Sequence, residues 1–296
     1  MFLNYIRDRF SLDEIKLDDL GGLRKEVFED YLEYLEHYES DHGEVTNGRR
    51  SLARKLSALK SFFKYLFTNE LISTFEISKV ENPKVPKKEI ICMDKSEVSD
   101  FLSAVHGNAQ MTKKQRQYHD LQEVRDLALV YLLLTAGIRA SECSELDVDD
   151  IDMNRSCIYI TRKGGNEATV YFSDQASPYL ADYIDWRLHN DKIPETEKAL
   201  FLSSRKTRLA VRSIEVIIKK YAVASLPGKG SKITPHKLRA TFATQLYEST
   251  GDIYLVAESL GHNDISTTKN HYARLSNKRK EANRNAITFE DRKDDT

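Results

Sequence analysis

Four separated segments of the chain contain arginine, lysine, histidine and tyrosine residues whose side chains could bind an anion such as phosphate and react with it. The first segment, TAGIRASE, contains Arg139 two residues after Gly137, at the end of an apolar helix. Glycine readily adopts the left-handed conformation that ends a helix, so Arg139 is expected at an exposed turn. A guanidinium there could offer paired donors to a phosphate. The alternative is an arginine paired with Glu142 at a buried edge.

A second segment, ITPHKLRATFATQL, has the pattern of a helix start. Thr234 is a good N-cap residue, and Pro235 suits the first helical position. His236 and Arg239 then stand three residues apart on one face of the first turn, where the positive helix end favours an anion. The alternative is a histidine and an arginine that merely cap the helix at the surface.

The other two segments provide a lysine and a possible nucleophile. In ITRKGGNEATVYF, Lys163 lies at the tip of a predicted hairpin, where a lysine is usually just solvated but could also dip into a cleft. In YLVAESLGHNDISTTKNHYARL, Gly261 ends a helix, His262 follows directly and Tyr272 lies ten residues further on. A lone tyrosine on an amphipathic helix normally belongs to the core or its rim.

Together these residue types fit phosphodiester transfer. Tyr272 could attack the phosphorus, and Arg139 and Arg239 could neutralise its non-bridging oxygens. His236 is a reasonable base or proton relay for a tyrosine with an ordinary pKa of ~10. A metal site is the alternative for three histidines, but neither HExxH nor clustered carboxylates accompany them. Those histidines are His236, His262 and His271.

These residues must be positioned by a mainly helical chain with a small antiparallel β-sheet. Residues 1–80 are predicted to be helical, with apolar residues at helical spacing in 23–38 and 51–67 and the turn-like ESDHGEVTNG between them. Residues 81–89, ENPKVPKKE, read as an interdomain linker. Helices are then predicted over residues 93–107, 121–137, 177–190 and 211–226.

Local signals refine two of these elements. Asp94 is a candidate N-cap, and Glu97 completes a capping-box pattern. The β-rich segments CIYITR and ATVYF flank KGGNE, which predicts an antiparallel hairpin. The charged tail EDRKDDT is expected to fray.

One helix of the first domain stands out by its charge. No acidic residue occurs between Val45 and Asn69, whereas the rest of residues 1–85 is rich in acid. Phosphate contacts with release of counterions are the main source of sequence-independent DNA affinity, although a solvated helix face is the alternative. The candidate DNA-binding residues are Arg49, Arg50, Arg54, Lys55, Lys60 and Lys64.

The bulk composition excludes several other classes. The 296 residues are 40 % hydrophobic and 31 % charged with a net charge of −1, so any basic surface must be local. Three cysteines without a CxxC pair argue against a disulfide framework or structural zinc. With no run of ~18 apolar residues and a charged N-terminus, the sequence predicts no membrane partner. We expect a soluble cytoplasmic protein, associated with the nucleoid.

In order, type and approximate spacing, the four segments resemble those of the tyrosine recombinase or phage integrase family, over essentially the whole chain. TAGIRASE looks like the Arg-containing box, HKLRATFAT like the His-x-x-Arg box, and LGHNDISTTKNHY like the Leu-Gly-His box followed by the nucleophile. The combination is far more specific than any one segment. The lysine of the β-turn also fits.

The resemblance implies an N-terminal helical core-binding (SAM-like) domain, residues 1–85, and an α+β tyrosine-recombinase catalytic domain, residues 86–296. It implies that Lys163 protonates the departing 5′ oxygen and that His262 hydrogen-bonds the transferred phosphate. No metal, ATP or other cofactor is needed. The implied catalytic set is Arg139, Lys163, His236, Arg239, His262 and Tyr272.

Three departures from the family pattern stand out. Ala240 occupies a place where the family commonly has histidine, and Tyr272 lies one position further from His262 than expected. The segment FLNYIRDRF looks like the end of the family's first helix, which suggests a shortened chain or one without an N-terminal arm. The second of these would favour a simple recombinase that acts on short paired sites.

The implied partners are double-stranded DNA sites and three further copies of the chain, because recombination of two duplexes needs four active sites. We expect a monomer off DNA, a tetramer on two sites, and accessory proteins in some reactions. The reaction would be integration, excision, inversion or resolution, including that of a mobile genetic element. The segment after Tyr272 suits a helix that docks on a neighbouring protomer or packs in cis. A type IB topoisomerase and a non-catalytic DNA-binding regulator of the same fold are the alternatives.

Overall fold

The computed structural model describes residues 1–40, 43–85, 91–107, 113–162 and 164–261. The chain divides into two compact units, Met1–Glu89 and Ile90–Thr296. In both, helices dominate and the strands form small antiparallel sheets, which confirms the predicted fold class.

In its described residues, the first unit contains four helices, a two-stranded hairpin and a short 3-10 turn. The helices are α1 (Phe2–Phe10), α2 (Leu17–Gly21), α3 (Lys25–Glu36) and α4 (Arg49–Thr68). The strands are β1 (His37–Ser40) and β2 (Gly43–Thr46), and the 3-10 turn is Glu76–Lys79.

Helix α4 forms because its apolar residues recur every three or four positions, which gives it a buried stripe. Leu52, Leu56, Phe63 and Leu66 form that stripe. Phe63 meets Phe28 of α3 edge to face, with 5.0 Å between the ring centroids. Phe62, which also lies in the predicted helix 51–67, falls outside the stripe and is 41 % exposed.

The stretch between α3 and α4 differs from the prediction. ESDHGEVTNG was predicted to be turn-like within a helical region, whereas β1 and β2 pair there as an antiparallel hairpin with His37 opposite Thr46. Helix α3 also ends at Glu36, two residues before the predicted end. Tyr38 and Val45, which suit strands, face each other in this hairpin, so cross-strand pairing outweighs the local turn propensity.

The second unit contains, among its described residues, seven helices and three strands. The helices are α5 (Lys95–His106), α6 (Lys113–Ala136), α7 (Ala140–Glu145), α8 (Ser177–Leu188), α9 (Val211–Ser225), α10 (Pro235–Thr250) and α11 (Ile253–Leu260). The strands are β3 (Ile151–Asp152), β4 (Cys157–Arg162) and β5 (Asn166–Tyr171). Two 3-10 turns, Val148–Asp150 and Gly230–Lys232, complete the unit.

The predicted hairpin of the second unit is confirmed. Strand β4 spans the residues of CIYITR, and it pairs antiparallel with β5 from Cys157 opposite Tyr171 to Arg162 opposite Asn166. Strand β3 adds to the other edge of β4, so the sheet order is β3-β4-β5. Ile158 and Ile160 point into the core while Tyr159 and Thr161 are exposed, which is the alternation expected of a half-buried strand.

Helix α6 is the central helix of the second unit and packs against α5, α8 and α10. At its core, Tyr221 of α9 donates a hydrogen bond to Asp126 at 2.8 Å, and Arg125 donates to the same carboxylate. This pairing satisfies charges that would be costly to bury alone. The predicted capping box at the start of α5 is confirmed, since Asp94 accepts from the amide of Glu97 and Glu97 accepts from that of Asp94.

None of the helices in the described ranges combines the length and the apolar character that crossing a bilayer requires.

Candidate active site

The turn after α6 brings Arg139 to the start of α7. Gly137 has φ +62°, the left-handed conformation predicted for it. A Cβ at this position would lie 2.1 Å from the Cδ1 of Phe242 on α10, so glycine allows the two helices to approach. Arg139 follows as the N-cap residue of α7. The predicted turn at this segment is confirmed.

Arg139 is tied to Glu142 by backbone and side chain. Its Nη1 donates to Oε1 of Glu142 at 2.5 Å, and its amide donates to Oε2 at 2.7 Å. The Glu142 side chain is 6 % exposed, but that of Arg139 is 41 % exposed. The pairing that the sequence offered as an alternative therefore exists, and it leaves much of the guanidinium open to solvent.

Arg239 lies buried where three helix ends meet. From α10, its Nη1 donates to the carbonyl of Gly137 at 2.7 Å, and its Nη2 donates to the carbonyl of Leu260. The side chain is 5 % exposed, and its burial is tolerable because these carbonyls satisfy its donors. Arg239 thus joins the ends of α6 and α11 to the first turns of α10.

The two arginines share one carboxylate. Nη1 of Arg239 lies 3.8 Å from Oε2 of Glu142, whose Oε1 holds Arg139. Two guanidinium charges and one carboxylate leave a net positive charge of one, partly buried. Such a group attracts an anion more strongly than surface arginines in open water, because burial weakens screening.

His236 lies at the start of α10, one turn before Arg239. Pro235 occupies the first turn, as predicted, and Thr234 adopts the extended N-cap conformation. Thr234 is the N-cap residue, as predicted, although its side chain makes no capping hydrogen bond. His236 is exposed and Arg239 buried, which excludes the interpretation of both as a surface cap.

Arg162 is a residue of this region that the sequence analysis missed. It ends β4 on the core-facing side of the strand, and it donates to the carbonyls of Glu258 at 3.3 Å and Ser259 at 3.0 Å. Burial lowers the pKa of this guanidinium, while Glu142 raises it and Arg139 lowers it, so its charge lies near that pair. The alternation of CIYITR was the signal, because it places position 162 on the same face as Ile158 and Ile160.

Three predicted catalytic residues lie outside the described residues: Lys163, His262 and Tyr272. The described residues beside two of them do come together. A Cβ at Gly261, which precedes His262, would lie 1.7 Å from Nη1 of Arg162, which precedes Lys163. The side chain of the residue before Lys163 therefore reaches the residue before His262.

Metal ligands show no comparable convergence among the described residues. No group of three histidine, cysteine or carboxylate side chains there could hold a metal ion. Of the three histidines weighed as ligands, only His236 falls within the described part of the chain.

The model of the phage integrase family matches residues 92–279, which is more than half of the chain.

The chain belongs to the phage integrase family.

Relatives in this family include the tyrosine recombinase XerS of Streptococcus agalactiae serotype III. The two are 33 % identical over 282 residues, which cover 86 % of this chain and 77 % of the relative. The tyrosine recombinase XerC of Leptospira interrogans is 31 % identical over 238 residues, covering 80 % and 72 % of the two chains. Our chain is accordingly a site-specific DNA recombinase of the tyrosine type. These relatives do not favour the topoisomerase and regulator alternatives.

Solved structures of the family share the fold. The post-cleavage complex of XerH recombinase with a palindromic difH substrate matches with a TM-score of 0.71 and 19 % identity, over 94 % of this chain and 76 % of that one. The XerA recombinase matches with a TM-score of 0.56 and 24 % identity, over 96 % and 91 %.

The basic helix of this integrase-family member has side chains in different settings. Nζ of Lys60 donates to the carbonyl of Val80 at 2.6 Å, and Nζ of Lys55 lies 5.1 Å from the ring centroid of Tyr38. Both side chains are thus partly engaged within the first unit. The other four candidates are exposed, and they are Arg49, Arg50, Arg54 and Lys64.

Proposed function

We propose that the Tyr272 hydroxyl of this recombinase attacks a DNA phosphodiester and becomes linked to the 3′ phosphate. The other proposed catalytic residues are Arg139, Lys163, His236, Arg239 and His262. The observation that carries the proposal is the pair Arg139 and Arg239 around the buried Glu142.

The Glu142 carboxylate explains how Arg139 and Arg239 can lie close together in the absence of a phosphate. Glu142 offsets their mutual repulsion and keeps Arg139 oriented through a bond to its Nη1. The Arg139 guanidinium has five N–H donors and the Arg139 side chain is 41 % exposed, so donors remain for a phosphate. Preset donors of this kind stabilise the charge that develops on the non-bridging oxygens, since no reorganisation is needed during the reaction.

Proton transfers complete the proposed cleavage step. The Tyr272 oxygen forms a bond to phosphorus while its proton passes to His236, and the bond from phosphorus to the 5′ oxygen breaks. Lys163 gives a proton to that 5′ oxygen, and His262 hydrogen-bonds the phosphate. The phosphotyrosine ester conserves the bond energy, so that attack by a 5′ hydroxyl of another strand reverses these steps without ATP.

We assign sequence-independent DNA contact to the exposed side of α4. Arg54 and Lys64 follow Arg50 by 4 and 14 residues, which is close to whole helical turns. The three side chains therefore line one side of α4, and all three are exposed. Their spacing would let one helix face follow a phosphate backbone. Lys60 contributes less to this contact, because its ammonium already bonds the carbonyl of Val80.

The proposed assembly is a tetramer on two duplex sites, formed from chains that are monomeric without DNA. Two duplexes exchange four strand ends, and each end requires one nucleophile. Both solved structures named above are of recombinases, and the XerH structure contains its DNA substrate. The proposed compartment is the cytoplasm, where accessory proteins would act at the same DNA.

The test is a trap for the covalent intermediate, followed by a search for recombinant products. The protein is mixed with labelled duplexes, intact and nicked, taken from the DNA on either side of its gene. We expect a protease-sensitive, slowly migrating adduct on denaturing gels, and then junctions that join two input duplexes. An adduct without junctions would favour a topoisomerase instead. Binding without any adduct, on these duplexes and on a library of other sequences, would favour a regulator.

A further inference from the structure

The hairpin tip that contains Lys163 is supported very unevenly by its surroundings. On one side, Gly164 and Gly165 have φ of +94° and +80°, and a Cβ at Gly165 would meet nothing within 4 Å. A Cβ at Gly164 would meet only Nδ2 of Asn166, at 3.9 Å, so the two adjacent glycines give the chain little resistance to bending. On the other side stands Arg162, which closes the turn by accepting from the amide of Gly165 at 3.0 Å.

The side chain of Arg162 is anchored outside the sheet. Its Nη1 and Nη2 donate to the carbonyls of Glu258 and Ser259, two of the last residues of α11. The final carbonyls of a helix have no partner within it, so a guanidinium is well suited to bind two of them at once. The contact joins residues that lie 96 and 97 positions apart in the sequence.

The anchor is tightly fitted on the side of α11. Gly261 ends the helix with φ +58°, and a Cβ there would come within 1.7 Å of Nη1 of Arg162. Leu260, one residue earlier, offers its carbonyl to Arg239. The end of α11 is therefore held by two arginines, one from the proposed phosphate site and one from the base of the hairpin tip.

We propose that Arg162 is a positioning residue that holds the base of the Lys163 turn against the end of α11. It touches neither substrate nor reacting atom, and it acts through the lysine that follows it in the chain. The inference rests on the proposed function, in which Lys163 protonates the leaving 5′ oxygen. Without this anchor, the glycine side of the tip would let Lys163 sample positions too far away to deliver its proton.

Replacement of the leaving oxygen by sulfur separates this role from a general loss of structure. In a duplex with sulfur at the 5′ bridging position, the bond from phosphorus to sulfur breaks instead. A thiol has a pKa of ~8.5, so sulfur leaves as the thiolate and needs no proton. A defect confined to proton delivery therefore disappears with the sulfur substrate, whereas a defect in phosphate binding stays.

The variant to measure is Arg162→Lys, which keeps the charge but loses the planar pair of donors. At saturating protein, we expect its rate of adduct formation on the oxygen duplex to fall by about 10²-fold, the scale of a misplacement near 1 Å. On the sulfur duplex its rate should approach that of the wild type, with the affinity for DNA unchanged. Arg139→Ala should remain slow on both duplexes.

Arg155→Lys is the matched control. Arg155 belongs to the same sheet region and is exposed, with a hydrogen bond of 3.3 Å to the Tyr159 hydroxyl rather than to α11. This variant should cleave both duplexes at the wild-type rate. Equal loss of rate by Arg162→Lys on the oxygen and sulfur duplexes would overturn the proposal, and so would no loss on either.

A second measurement does not depend on catalysis. Hydrogen exchange on the full chain should show faster exchange at the end of α11 in Arg162→Lys, where the Gly261 amide bonds the Glu258 carbonyl at 2.8 Å. Exchange in residues 1–85 should not change. Unaltered exchange in α11 would contradict the anchor itself. If the wild type forms no adduct at all, the proposed function fails, and the exchange result still decides whether Arg162 holds α11.

Discussion

Arg139 combines a firm tether with an open face. One of its donors is fixed on Glu142 at 2.5 Å, yet 41 % of its side chain is exposed. A residue that only stabilised the fold would gain most from deeper burial of the pair, whereas a residue that binds phosphate must stay accessible. The exposure of Arg139 therefore favours the proposed phosphate contact, which mutation can test.

Arg139→Ala should reduce the rate of adduct formation by roughly 10²–10³-fold, the loss observed for removing one oxyanion donor. It should also destabilise the second unit by about 1 kcal/mol, because the buried Glu142 then keeps only the backbone amide of residue 139 and the more distant Arg239. Single-turnover cleavage and thermal unfolding measure the two effects.

The double variant Arg139→Ala/Glu142→Gln distinguishes the two contributions. It should regain part of the lost stability, since no unpaired carboxylate remains, but it should not regain the cleavage rate. Recovery of cleavage in the double variant would mean that Arg139 acts only by neutralising Glu142.

Residue types and order indicated a candidate site, but the contacts within it could not be predicted. The sequence indicated that Arg139 pairs locally with Glu142 or faces phosphate, and the structure shows the local pair. It gave no sign that Arg239, far away in the chain, approaches the same carboxylate. Contacts between distant segments depend on how helices pack, and periodicity within one segment does not contain that information.

At the scale of elements, local signals succeeded where a single pattern decided the structure. The alternation in CIYITR predicted β4, and the Asp94 capping box predicted the start of α5. Glycines predicted the ends of α6 and α11. The pattern failed between α3 and α4, where turn-forming residues and strand-forming residues are mixed and the pairing of β1 with β2 decided the outcome.

Gly261→Ala tests the close approach at the end of α11. A Cβ there adds a left-handed strain of about 1–2 kcal/mol and also collides with Arg162. Gly165→Ala is the matched control, because Gly165 has φ +80° but nothing within 4 Å of its Cβ position. We expect the midpoint of thermal unfolding to fall further for Gly261→Ala than for Gly165→Ala. Equal shifts would indicate that Arg162 simply moves away.

Arg50→Ala/Arg54→Ala tests the exposed face of α4. Each lost phosphate contact should reduce the slope of log affinity against log salt by about 1, so the double variant should lose about 2. Lys25→Ala/Lys79→Ala removes the same charge from the same unit, but these lysines already pair with Glu29 and Glu76. A slope that changes equally in both double variants would show that only net charge matters and that α4 does not touch phosphate.

For the whole molecule, we expect the number of chains in the complex to depend on DNA. The two compact units of each chain would act together on one duplex site, and four chains would assemble only when two sites meet. Sedimentation of Tyr272→Phe, which is expected not to cleave, should give a monomer without DNA and a complex of four chains with two duplexes. The tetramer would be contradicted if Tyr272→Phe formed only complexes of one chain with one duplex under conditions in which the wild type forms junctions.

The proposed nucleophile, Tyr272, is tested most directly by finding which residue becomes covalently linked to the DNA. The adduct formed on a nicked duplex is digested with protease, and mass spectrometry identifies the peptide that retains the nucleotide. We expect the peptide that contains Tyr272, and we expect Tyr272→Phe to bind the duplex with wild-type affinity but to form no adduct. An adduct on another residue, or one that persists in Tyr272→Phe, would show that Tyr272 is not the nucleophile.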